Sequence, residues 1–151
     1  MKDDVFPNAA SERIALISCS KRKKSSPCPA SELYSASLLF SLLYKYAKAN
    51  ADRVYIISAK HGLVAENEIL EPYDETLNAK PAAERRAWAQ RVLNQLSQVC
   101  DVRKTEFIIL AGQRYHEYLC PELPHKSLPL GKLRFGERIK FLKAITESVK
   151  E

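Results

Sequence analysis

The residues best suited to chemistry fall in short polar segments, three of which directly follow an apolar run. Cys19-Ser20-Lys21 follows R-I-A-L-I-S at Arg13–Ser18, and Ser58, Lys60, His61 and Gly62 follow Val54–Ile57. Ala111-Gly112, with Tyr115 just beyond, follows K-T-E-F-I-I-L ending at Leu110. A fourth segment, Glu71-Pro72-Tyr73-Asp74, reads as a loop. His61 is a candidate general acid or base near neutral pH. Lys21 and Lys60 could neutralise a phosphate or a developing negative charge. Glu71 and Asp74 could supply a carboxylate for base chemistry or hold a ribose hydroxyl. Tyr73 could stack on a base and Tyr115 could shape a base pocket. Cys19 raises the question of a Cys–His nucleophile, but no third, orienting group is identifiable.

Each of these residues also has a plainer reading. A histidine at a strand end is often a structural hydrogen-bond partner, and E-P-Y-D could be a rigid turn around a buried phenol. The run Lys21-Arg22-Lys23-Lys24 could be a solvated loop. Gly62 and Gly112 could supply positive φ or close approach to a ligand, or could simply be turn glycines. No glycine-rich phosphate loop follows the first strand, so neither the Walker A nor the dinucleotide fingerprint is present.

The elements that would position these groups alternate. Short apolar runs at Arg13–Ser18, Val54–Ile57 and Lys104–Leu110 predict strands buried on both faces. Apolar residues at helical spacing predict a helix over Ser31–Ala49 capped by Ser31, and a second helix from Pro81 to about Val99. A short helix follows Gly112, and a final helix runs from Arg134 to about Val149. A fourth strand could come from His125–Leu130. This order predicts a single α/β domain over residues 13–151, after a loose arm over residues 1–12. The expected fold is a three-layer, Rossmann-like sandwich with a small, mainly parallel sheet. In such sheets ligands bind just beyond the carboxyl ends of the strands, where the three polar segments fall.

The chain has 151 residues and formal net charge +6, which favours anionic partners such as nucleotide or nucleic acid without requiring them. Its 46% hydrophobic and 28% charged residues are those of an ordinary soluble protein, and disorder is expected only in the first dozen residues and the last few. The longest apolar stretch, Leu38–Tyr46, is too short to cross a bilayer, and with no basic-then-apolar leader a cytoplasmic protein is expected. Cys19, Cys28, Cys100 and Cys120 show no C-x-x-C pair, so reduced thiols are expected rather than disulfides or a metal site; no cofactor is expected either.

The ordered set I-S-C-S-K at 17–21, S-A-K-H-G-L at 58–63, E-P-Y-D-E-T-L at 71–77, W-A-Q-R-V at 88–92 and L-A-G-Q-R-Y at 110–115 resembles a compact family of uncharacterised bacterial and phage proteins. That family is in turn similar to the YaaA peroxide-stress proteins, through Ser20-Lys21, Gly62-Leu63, Pro72-Tyr73, Trp88, and Leu110-Ala111-Gly112 with Tyr115. YaaA proteins are longer, with an insertion carrying a helix-hairpin-helix-like DNA-binding feature that this chain lacks room for. The resemblance implies association with DNA or nucleotide metabolism, base modification or protection from oxidative stress.

The expected function is therefore that of an enzyme on nucleotides or nucleic-acid bases, a glycosylase or transferase acting at the sheet's carboxyl edge. Its expected catalytic residues are His61, Lys21, Glu71 and Asp74. Cys19, Ser20, Lys60, Gly62, Tyr73, Gly112 and Tyr115 would bind substrate. DNA is the expected polymer rather than RNA. Two alternatives stand beside it: a non-catalytic DNA-binding module using Lys21–Lys24, Arg85, Arg86 and the last helix, and a stress-response accessory subunit of a larger modification enzyme.

Overall fold

A computed structural model describes residues 12–20, 23–131, 133 and 135–149. Lys21, Arg22 and residues 1–11 of the expected arm lie outside the described residues. In chain order the elements are β1 Arg13–Ser18, β2 Cys28–Pro29, α1 Ala30–Leu33, α2 Leu38–Asn50, β3 Arg53–Ser58, β4 Gly62–Ala65, β5 Ile69–Leu70, α3 Ala82–Leu96, β6 Glu106–Leu110, α4 Gln113–His116, β7 Lys126–Ser127 and α5 Phe135–Val149.

The expected α/β class and mainly parallel sheet are what the structure shows. Five strands lie in the order β4-β3-β1-β6-β7, with β3, β1, β6 and β7 parallel and β4 antiparallel at one edge. Side chains alternate across the central strands. Ala15, Ile17, Val54, Ile56, Ile108 and Leu110 face one core, which Phe40, Leu43 and Ala47 of α2 and Leu142 of α5 fill. Ile14, Leu16, Ile57, Phe107 and Ile109 face the other, closed by Trp88, Ala89, Val92 and Leu96 of α3. Burial on both faces is why these strands read as continuous apolar runs rather than alternating ones.

The connections create a crevice. From β1 the chain passes through α2 to β3 on one side, then returns through α3 to β6 on the other side of β1. The excursions leave in opposite directions, so the carboxyl ends of β1 and β6 are left uncovered between them.

Five local readings need correction. The helix over Ser31–Ala49 is two helices separated by a turn at residues 34–37. Serines divide it: Ser35 Oγ donates to the Glu32 carbonyl (2.6 Å), and Ser37, not Ser31, caps α2 by accepting from the Phe40 N–H (3.1 Å). The expected third strand begins at Glu106 rather than Lys104, because Lys104 and Thr105 N–H groups both bond the Asp101 carbonyl in a turn. The expected fourth strand shrinks to Lys126–Ser127, parallel to β6. The edge strand β4 and the small antiparallel β2–β5 pair were not expected at all. Glu12, assigned by sequence to the arm, forms a two-pronged ion pair with Arg53 (2.6 and 2.9 Å).

Candidate functional site

A cleft of about 670 Å3 opens at the crevice between the ends of β1 and β6. Ser18, Cys19 and Ser20 line it from β1, Gly112 to Tyr115 from β6 and α4, and Asp74 to Thr76 with Asn78 from the loop after β5. Lys23 and, from α5, Arg138 complete its polar wall. Three segments remote in sequence therefore meet at one pocket. Among the described residues, the Asp74 carboxylate and Arg114 guanidinium have no partner of their own. Glu75, by contrast, is held by Lys80 at 3.0 Å.

Tyr115 forms one wall. It is buried, edge-on to Trp88 with ring centroids 5.7 Å apart. Its hydroxyl accepts from the Leu77 N–H (3.3 Å) and lies 3.5 Å from Cys19 Sγ and 3.4 Å from Thr76 Oγ1. The phenol thus ties the β1 end, the loop and α4 together. Burial raises its pKa above the ordinary phenol value.

A second phenol braces the loop from behind. Tyr73 directs its hydroxyl inward to Tyr34 and to Ser58 Oγ (2.7 Å), and Ser58 Oγ also accepts from the Lys60 and His61 N–H groups (3.2 and 3.1 Å). The Ser58 carbonyl in turn accepts from Trp88 Nε1 (2.8 Å). Desolvation pushes Tyr34 up to about 12 and raises Tyr73 still more strongly. Lys23 Nζ sits 4.5 Å and Lys60 Nζ 5.9 Å from the Tyr73 ring centre, cation–π contacts that leave no room to call this face a free base-stacking platform. The rigid-turn reading of E-P-Y-D fits this position of Tyr73.

The other expected site residues divide. Cys19, Ser20, Asp74, Gly112 and Tyr115 share the cleft. His61, half-buried in the β3–β4 turn, lies edge-on to Tyr73 (5.4 Å) and is not among the described cleft residues. Burial first, then Lys60, lowers its pKa below the ordinary histidine value. Lys60 is exposed and lines a neighbouring hollow of about 350 Å3. Glu71 is exposed outside the described cleft lining. Gly62 has φ +75°, and a Cβ there would meet Gln95 Oε1 at 2.3 Å. Helix α3, not a ligand, makes the close approach: Gln95 accepts from the Leu63 N–H at 2.8 Å and donates to the His61 carbonyl. Gly112 caps α4 with φ −71° and open space where a Cβ would project, so its backbone demands no glycine. Lys21 lies outside the described residues.

Sequence reasoning passed over several cleft residues, Ser18, Glu75 and Gln113 among them. Thr76 and Arg114 stood inside the segments already singled out, and could have been found by asking which polar side chains flank the tyrosines. Asn78 and Arg138 carried no such signal, since only the packing of the loop and of α5 brings them to the cleft. Arg85, expected on a binding surface, is buried and paired with Glu117 at 2.9 Å. Trp88 and Arg85 both spend their polar groups on structure. All four cysteines are free thiols, and among the described residues no three His, Cys, Asp or Glu side chains gather as a metal site. Among the same residues no helix is long and apolar enough to cross a membrane.

Fold and site together define a doubly wound α/β protein with a polar cleft at its topological switch point. The chain belongs to the family of unknown function DUF6884, whose sequence pattern matches residues 14–144. It is this family, and not the YaaA group, that the comparison shows. No curated protein and no solved structure matches the chain.

Proposed function

We propose that this protein acts on nucleotides or nucleic-acid bases in the β1/β6 cleft, and that its reaction breaks or exchanges an N-glycosidic bond. The observation that carries the reading is a partnerless carboxylate, Asp74, and a partnerless guanidinium, Arg114, lining one cleft at the sheet's carboxyl edge. An arginine fork suits a phosphate. A carboxylate suits the positive charge that grows on the anomeric carbon as the C1′–N bond lengthens. The bonding pair leaves with the base, C1′ bonds to water or a second base, and the proton that this nucleophile gives up passes by way of Asp74 to the departing base. Lys23 and Arg138 add positive charge to the cleft. The volume matches that of small-molecule sites in general.

Proton chemistry in this reading rests on Asp74, since His61 and Glu71 are not among the described cleft residues. The test is incubation with nucleosides, nucleotides and single-stranded DNA, following free base by chromatography. Base release lost in Asp74→Asn, with weakened substrate binding in Arg114→Gln, is the expected result. Release at the same rate in Asp74→Asn would remove the catalytic role. Salt-sensitive binding without any release would instead favour the non-catalytic module.

A further inference from the structure

Resting on that reading, we infer that the substrate is a single-stranded polynucleotide whose neighbouring nucleotide occupies the hollow beside the cleft, rather than a free mononucleotide. The two depressions adjoin at Glu75, which lines both. Across that carboxylate the hollow is walled by Lys60, Lys80 and Arg91, with Ala59, Ala87 and Trp88 forming apolar wall. Counting both depressions, six cations (Lys23, Arg114, Arg138, Lys60, Lys80, Arg91) face three carboxylates (Asp74, Glu75, Glu84).

The arrangement is directional. Lys80 pairs with Glu75 at 3.0 Å, pulling the shared carboxylate away from full repulsion of an anion crossing it. Arg91 keeps one terminal nitrogen on the Lys60 carbonyl (2.9 Å), which fixes the arginine against the turn that carries the Lys60 ammonium. Lys60 and Arg91 are both exposed. A mononucleotide in the cleft would leave these cations unused. A strand crossing Glu75 would place a second phosphate against them, and a groove with an excess of positive charge along the backbone is how single strands are generally tracked.

The experiment compares a nucleoside monophosphate with a single-stranded hexadeoxynucleotide, by titration over a range of salt. The expected result is at least tenfold tighter binding of the strand, with a salt slope steeper by about 0.7 for each additional phosphate engaged. In Lys60→Gln with Arg91→Gln, thermal melting reports folding, and strand affinity falls toward that of the mononucleotide. Equal affinity of the two ligands would overturn the inference while leaving the proposed function standing. A tighter strand whose affinity the double variant does not change would also overturn it. Failure of both ligands to bind would remove the proposed function itself.

Discussion

Replacing Tyr73 by Phe removes one oxygen from a closed set of hydroxyls. That oxygen bonds Ser58 Oγ at 2.7 Å and the hydroxyl of Tyr34, a side chain with no exposed surface. Each such bond contributes about 1 kcal/mol net, and a buried polar group left short of a partner costs about 1–3 kcal/mol. Ser58 Oγ keeps its two backbone donors, and it also acts on Tyr34, which holds the penalty toward the lower end. The expected loss for Tyr73→Phe is therefore about 2 kcal/mol, or about 4–8 °C in Tm for a domain of this size. Tyr34→Phe removes only one of these bonds and is expected to cost about 1 kcal/mol. In the double variant the same Tyr34–Tyr73 bond cannot be lost twice, so the two losses fall short of additive by about 1 kcal/mol. Urea denaturation of the four proteins reads this coupling directly. Additivity within about 0.3 kcal/mol would refute the hydroxyl network as a stabilising unit.

The same packing sets other outcomes. Tyr34, Tyr73 and Tyr115 have raised pKa values, so the folded state holds their protons longer than the unfolded chain; stability is complete below about pH 10 and falls above it, which alkaline denaturation with absorbance detection of tyrosinate reads. His61 has the opposite sign: its lowered pKa means the unfolded state binds the proton more readily, so stability falls as pH drops below the ordinary histidine value of 6.5, and His61→Gln flattens that limb. Gly62→Ala combines a positive φ with a clash on Gln95 and is expected to cost about 2 kcal/mol, whereas Gly112→Ala changes stability by under about 0.5 kcal/mol; equal effects would refute the distinction.

The layered fold was legible because both faces of β1, β3 and β6 are buried, which writes unbroken apolar runs into the chain. The position of the cleft was legible for the same reason: Cys19-Ser20 and Gly112-Tyr115 are abrupt polar endings on those runs. The break after α1 was not, because the apolar spacing continues through Tyr34 and Leu38 while serine hydroxyls take the backbone groups. β4 was hidden by its shortness and by the amide of Gln95, a partner more than thirty positions away that satisfies its backbone. Likewise, Tyr73 faces inward because Tyr34 and Ser58 wait there, and Gly62 is needed because α3 passes close. These are facts of tertiary packing that spacing along the chain does not carry.

The most direct measurement is a crystal structure with a nucleoside monophosphate bound. The phosphate is expected against Arg114 and the sugar beside Asp74, between Ser20 and Tyr115. A ligand seated elsewhere, or an empty cleft at saturating nucleotide, would contradict the assignment of this cleft as the site.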